Sequence, residues 1–292
     1  MSPTTKERLK KFFGYPSFFF SAFGLMLYLT FPYATVAERI SAEAKKNGGL
    51  NLHIGKLGPG FLGLKAKEVA ITPPRAEGQQ GELVPVVIDE VSARPSLFPL
   101  GLAFNAKLFG GQVKGSFSPL RRSQLLLTAR EVELARGNLK SALGLDLSGK
   151  LGANINLAFD PNDFTKAVGR VQLEGQELVI NGGTVANYDL PKVDLGTLDA
   201  DFKFEDGKAV VESFSAKGSD VEAALEGQMT LASKLMYSML QFDLKFKPAE
   251  DFLKRNSFIA TGLSFAMTKD PQGYYKAKVD RLFGNPRFSP QR

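Results

Sequence analysis

From Leu145 to Phe159, apolar and polar residues alternate without a break. Leu145, Leu147, Gly149, Leu151, Ala153, Ile155, Leu157 and Phe159 occupy one phase, and Asp146, Ser148, Lys150, Gly152, Asn154, Asn156 and Ala158 the other. Successive strand side chains point to opposite faces, so this segment predicts a strand with one apolar and one polar face. Straight, it would run roughly 50 Å, long for a strand, and the glycines predict a bend. The same rhythm recurs through most of the chain beyond residue 50. Leu102, Phe104, Ala106 and Leu108 lead into Gly110-Gly111, and Val113, Gly115 and Phe117 return as a hairpin. Leu198, Ala200, Phe202 and Phe204 close on Asp206-Gly207, a hairpin turn signal. Val221 to Leu231, Leu240 to Phe246, and Leu263, Phe265 and Met267 repeat the theme.

About a dozen strands with one apolar side imply antiparallel sheet, and almost no helix is left over to cover that side. The expected fold is mainly β: a large, curved antiparallel sheet whose apolar face meets itself as a trough, a sandwich or a barrel-like closure. The candidate apolar groove comprises Leu145, Leu147, Leu151, Ile155, Leu157, Phe159, Phe202, Phe204, Leu225, Met229, Phe242 and Phe246. Gly149 and Gly227, on apolar phases, permit sharp bending or close approach. An open trough implies a lipid or partner ligand; a closed core does not.

Ahead of the strands, no charged residue occurs from Phe12 to Ala37. As a helix rising about 1.5 Å per residue, that run is long enough for a hydrocarbon core of about 30 Å. It predicts a membrane anchor carried by Phe18, Phe19, Phe20, Phe23, Leu25, Met26, Leu27, Tyr28, Leu29, Phe31 and Tyr33. Pro16 suits a first helical turn, and Pro32 is placed to kink or stop the helix. Lys6, Arg8, Lys10 and Lys11, against Glu7 alone, set the amino terminus in the cytoplasm by the positive-inside rule. The alternative is a signal peptide cleaved near Thr35-Val36-Ala37, but the apolar run exceeds the usual core of about 7–15 residues. The expected organisation is a cytoplasmic basic tail (1–11), a transmembrane helix (12–37), a helical linker (38–49), a β-rich domain across the membrane (50–283) and a disordered tail (284–292). Val36, Ile40 and Ala44 form the linker's apolar stripe.

Composition removes much of the catalytic repertoire. The chain has 292 residues, no Cys and one His, so disulfides, Cys-ligated metals, thiol nucleophiles and multi-His metal sites are excluded. His53 lies on the polar phase of the first strand and reads as solvated. Gly55 to Gly60 lacks the Gly-Lys-Ser/Thr and helix of a phosphate-binding loop, and Ser148-Gly149-Lys150 sits within a strand. Asp160-Pro161-Asn162-Asp163 starts like a calcium loop but has Thr165 at position six and Val171 at position twelve, so it reads as a turn. Asp199 and Asp201 share one strand face and read as solvent-facing carboxylates rather than an acid–base pair. No catalytic, cofactor or metal residue is assigned, and an enzyme is not expected. The net charge of +7 comes without a basic, aromatic-interleaved block, so nucleic acid is not an expected partner.

Three stretches carry a resemblance: Leu50 to Pro74 (LNLHIGKLGPGFLGLKAKEVAITPP), Leu108 to Phe117 (LFGGQVKGSF), and Leu143 to Phe159 (LGLDLSGKLGANINLAF). Together with the basic start, the single span and the β-rich remainder, they resemble the type II secretion system protein N family. The repeated apolar-x-Gly-x-apolar strands also resemble AsmA-like envelope proteins, which have curved sheets and an apolar groove. The first resemblance implies an accessory component in the bacterial inner membrane, its bulk periplasmic, acting by contacts with other inner-membrane secretion components and the outer-membrane secretin. The second implies binding or transfer of lipid through the groove. An outer-membrane barrel is disfavoured by the anchor and by a basic, proline-containing carboxyl end.

Overall fold

The computed structural model describes residues 15–48, 51–72, 85–97, 100–119, 122–137, 139–140, 144–185 and 188–291. Two helices, α1 (Tyr15–Thr30) and α2 (Tyr33–Gly48), precede a single 15-stranded sheet. Its strands are β1 (Asn51–Gly60), β2 (Gly63–Thr72), β3 (Val86–Leu97), β4 (Leu100–Leu108), β5 (Gly111–Ser118), β6 (Ser123–Glu133), β7 (Leu145–Asp160) and β8 (Asp163–Val185). There follow β9 (Tyr188–Leu190), β10 (Val193–Glu205), β11 (Lys208–Lys217), β12 (Val221–Thr230) and β13 (Met239–Pro248). Helices α3 (Glu250–Arg255) and α4 (Ser257–Ala266) intervene before β14 (Tyr275–Leu282) and β15 (Asn285–Pro290).

Every pairing is antiparallel and each strand pairs with its neighbour in sequence, apart from β9, a spur on β8 that the path from β8 to β10 bypasses. The sheet is an open meander with β1 and β15 at its edges. Of the three closures expected, neither the sandwich nor the barrel is formed. Curvature is visible locally. Strands β10 and β12, on either side of β11, approach within 8 Å at several Cα pairs. Two strand spacings in a flat sheet would separate them by about 9.5 Å.

Three expectations are corrected. The apolar run does not form one helix: α1 and α2 meet at Phe31-Pro32 with a bend of 59°. The Tyr33 amide donates to the Phe31 carbonyl and the Val36 amide to the Pro32 carbonyl, so Pro32 opens a new helix, consistent with its missing N–H. The expected boundary between span and linker at 37/38 therefore falls inside α2. In α2, Val36 and Ala44 are half-buried but Ile40 is exposed. The carboxyl-terminal tail is not disordered over 285–290. It forms β15, which pairs with β14 from Leu282↔Asn285 to Ala277↔Pro290. Finally, Leu263 and Phe265 lie in helix α4 rather than a strand, because an alternation of three residues cannot separate a period of 2 from one of 3.6.

The structure also shows a repeat. Glu68, Glu131 and Glu177 adopt left-handed backbone, at φ 55°, 51° and 51°, a region that glycine or asparagine normally occupies. Each sits in a similar hexapeptide: LKAKEV (64–69), LTAREV (127–132) and LEGQEL (173–178). At Glu131 and Glu177 the ladder register shifts, as in a β-bulge. The extra residue moves the apolar phase by one, so Val69, Val132 and Leu178 are buried three residues after Ala66, Ala129 and Gly175. Glu177→Gly is expected to leave stability unchanged or raise it. Glu177→Val should cost about 1–2 kcal/mol, since a β-branched residue resists φ > 0. Urea midpoints of the two variants test this.

At the end of the sheet carrying α3, Asp220 is buried. It accepts hydrogen bonds from the Asp194 amide (2.9 Å) and the Arg255 guanidinium. The Ser219 hydroxyl donates to Asp194 (2.6 Å), which holds the Asp194 carboxyl below the usual carboxylate range. These contacts tie α3, and α4 after it, to the β11–β12 turn.

Candidate functional site

The ladder registers decide which side chains share a face. Leu102, Phe117, Leu125 and Leu157 are successive cross-strand partners, and the row continues through Gly169, Phe204, Ala209, Met229 and Leu240. A second row runs Leu64, Ala93, Phe104, Gly115, Leu127, Ile155, Val171 and Phe202. The registers Leu225↔Leu244↔Ala277, Gly227↔Phe242↔Val279 and Ala223↔Phe246↔Tyr275 extend the same face to the far edge. Leu145, Leu147 and Leu151 join it opposite Gly183, Ile180 and Gly175, and Phe159 joins it opposite Ser123. All twelve residues of the expected groove therefore lie on one face.

Burial along this face is uneven among the described residues. Phe104, Val113, Leu125, Leu127, Ile155, Val171, Phe202 and Phe242 are only half-buried, and Leu102 is exposed. The tightest cluster, Leu157, Phe204, Ala209, Met229 and Leu240, sits where the sheet curls. Phe159 leans on Phe164 (ring centroids 5.0 Å) and Phe246 on Tyr275 (5.7 Å). At Gly227 the backbone has φ +120°, and a Cβ would lie 2.2 Å from the Gln241 carbonyl oxygen, opposite Phe242. Gly149 has φ +113° at a register shift opposite the Glu177 bulge. Both glycines thus sit where the strands bend or press together.

The opposite face is polar and laced with ion pairs: Lys65–Glu90 (2.8 Å), Arg170–Asp201 (2.7 Å), Lys245–Glu226 (2.9 Å) and Arg287–Asp280 (2.9 Å). Hydrogen bonds from these cations hold Glu90, Asp201 and Asp280 below the usual carboxylate range. Asp201 also accepts from Gln172 (2.9 Å), while Asp199 is exposed. His53 is exposed beside α2. The Asp160–Asp163 segment is a turn. Its Asp163 accepts from the Thr165 hydroxyl and pairs with Lys166 (2.9 Å), which brings its carboxyl down to about 2.

A carboxyl depressed by folding stabilises the fold above its unfolded value, near 3.8, and loses that contribution as pH falls toward 2. Asp163→Asn should therefore be less stable than the native chain at pH 7, with the gap shrinking between pH 4 and 2. Salt should narrow it too, since the pair is solvent-accessible. Urea titrations across this range give the answer.

Of the expected anchor, Phe18, Phe19, Phe20, Phe23, Leu25, Met26, Tyr28, Leu29 and Phe31 are all exposed, and Tyr33 is half-buried. The side chain of Leu27, and Lys6, Arg8, Lys10 and Lys11 entirely, lie outside the described residues. Helix α1 has 16 residues, about 24 Å at the helical rise. Among the described residues, no single helix is long and apolar enough to cross a membrane; the bent pair α1–α2 passes only when taken together. The carboxyl end of α1 is tied to the sheet: the Tyr28 hydroxyl donates to the Gly60 carbonyl (2.8 Å) and the Tyr33 hydroxyl to the Tyr28 carbonyl (2.6 Å). Helix α2 then packs along β1.

Two features escape the sequence reading. One is the repeated bulge, for which the hexapeptides aligned above are the signal. The other is α4, an uncharged helix with Phe258 and Phe265 at 79% and 83% exposure. No family model, no curated protein and no solved structure matches the chain.

Proposed function

We propose that this chain is a membrane-anchored envelope protein that holds lipid acyl chains along the open apolar face of its sheet. In this reading α1 lies in the bacterial inner membrane, the amino terminus is cytoplasmic and the curved sheet is a periplasmic trough. The observation that carries it is the apolar face running through consecutive strands from β2 to β14, half-open at Phe104, Leu125, Leu127, Ile155, Val171 and Phe202 and closed on itself over Leu157, Phe204, Met229 and Leu240. A contiguous half-open apolar surface of this kind marks a ligand groove or a partner site. Its lining of Leu, Ile, Val and Phe, with the ion pairs kept to the other face, suits hydrocarbon. Function here is binding rather than turnover.

The test is photo-crosslinking of the full chain, in membranes, with a phospholipid carrying a diazirine on its acyl chain. Labelled peptides from β7, β10 and β13 are expected. Labelling confined to α1 would refute lipid binding by the sheet while leaving the anchor intact.

A second reading, an accessory role in type II secretion through protein contacts, is supported by two observations. The stretches resembling the protein N family fall on the β1–β2 hairpin, the β4–β5 hairpin and β7. Helix α4 presents Phe258 and Phe265 at the end of the sheet away from α1, apolar surface suited to another protein. A crosslinker at Phe258 that captures an inner-membrane secretion component or the secretin would favour this reading. Capture of lipid alone would count against it.

A further inference from the structure

We infer that the β1–β2 hairpin tip and the adjoining ends of β3 and β4, at Leu97 and Leu100, form a docking edge that rests in the surface of the same bilayer that holds α1. The inference rests on the membrane reading of α1. The meander sends alternate strand ends to opposite ends of the sheet, and the Phe61-Leu62 tip and the paired strand ends Leu97 and Leu100 share the end next to Tyr28. They are also neighbours, because β2 pairs with β3. The Tyr28–Gly60 hydrogen bond places the carboxyl end of α1 one residue from Phe61.

Turn tips are ordinarily Gly, Asn, Asp and Ser, as at Asp206-Gly207 and Asp270 to Gly273 in this chain. Here Phe61, Leu62, Leu97 and Leu100 are 83%, 73%, 75% and 55% exposed. No charged residue occurs from Leu57 to Leu64 or from Pro95 to Phe104. Cations follow immediately behind. Lys56 and Arg94 are exposed, four residues from Gly60 and three from Leu97, which is about 10–13 Å along a strand. Apolar groups that dip roughly 5–10 Å into a bilayer leave cations at that distance level with lipid phosphates. Apolar tips, flanking cations and a tether to α1 together fit an anionic phospholipid surface. Leu100 and Leu102 also belong to the apolar face, so that face meets the bilayer without a polar break.

The chain has no Trp, so a single introduced indole reports its own site. The full chain is reconstituted into vesicles of phosphatidylcholine and phosphatidylglycerol, one set brominated near the head of the acyl chain to report positions 61 and 97 and another near its methyl end to report position 23. Phe61→Trp and Leu97→Trp are expected to lose about half of their emission to the brominated lipid, as for a ring at interfacial depth. Gln272→Trp, at the opposite end, should lose none. Phe23→Trp reports the anchor separately. Quenching of the Phe23→Trp variant with none at positions 61 and 97 would overturn the docking edge and leave the anchor standing. No quenching at position 23 would overturn the anchor, while positions 61 and 97 would still decide the edge by their own signal. If the indole of the Phe61→Trp variant is protected in a way that depends on protein concentration rather than on lipid, the tips belong to a contact between copies, and the proposal fails.

Discussion

Leu25→Arg is expected to weaken membrane partition by about 3 kcal/mol, or roughly a hundredfold, the cost of a cation near the middle of a spanning helix. The effect should be large because α1 has little to spare. Its 16 residues fall short of a typical hydrocarbon core, and each of its described side chains is exposed. A charge there has no protein surface to turn toward. Leu25→Phe, at the same position, should leave partition unchanged. Alkaline carbonate extraction of membranes from the two variants is the measurement. If the arginine variant pellets as fully as the native chain, α1 is not what holds the protein to the membrane.

Gly227→Ala is expected to cost about 3 kcal/mol of folding stability. Two terms add: an L-residue at φ +120° costs about 1–3 kcal/mol, and a Cβ placed 2.2 Å from the Gln241 carbonyl forces β12 and β13 apart, an overpacking cost of similar size. A domain with total stability of about 5–15 kcal/mol would lose a large part of it. Chemical denaturation of the two proteins measures the difference. A shift under about 0.5 kcal/mol would show that the strand bends without needing glycine there.

Much of the sheet is legible in the sequence because its signal is local. In β7, each residue's phase along Leu145 to Phe159 predicts its face, and the ladder places those residues as expected. Whether the apolar face is covered is not legible, since the alternation that buries Phe202 under a second sheet is identical to the one that leaves it half-open. The bulges are hidden for a related reason: at Glu131 the period of two breaks and resumes one residue later, which by eye resembles the end of a strand. The tail misleads through Pro286 and Pro290, which exclude a central strand but suit an edge, where an unpaired side needs no N–H. The same prolines blunt that edge against pairing with other chains. The docking edge lies in plain view as two charge-free segments, but their meaning depends on Tyr28 reaching Gly60, a contact between residues far apart in sequence.

The sequential order of the meander has a consequence for how the molecule is assembled. Since each strand finds its partner in the segment just before it, no pairing has to wait for the carboxyl end of the polypeptide. A chain delivered amino-terminus first can zip its ladder hairpin by hairpin, with short loop closures throughout. The recurrent Leu-x-Ala/Gly-x-Glu-Val/Leu hexapeptide falls on β2, β6 and β8, even-numbered strands of that order. Duplicating one such hairpin would widen the sheet by two strand spacings, about 10 Å, and disturb only the junctions on either side, as in other arrays where stability is summed between nearest neighbours.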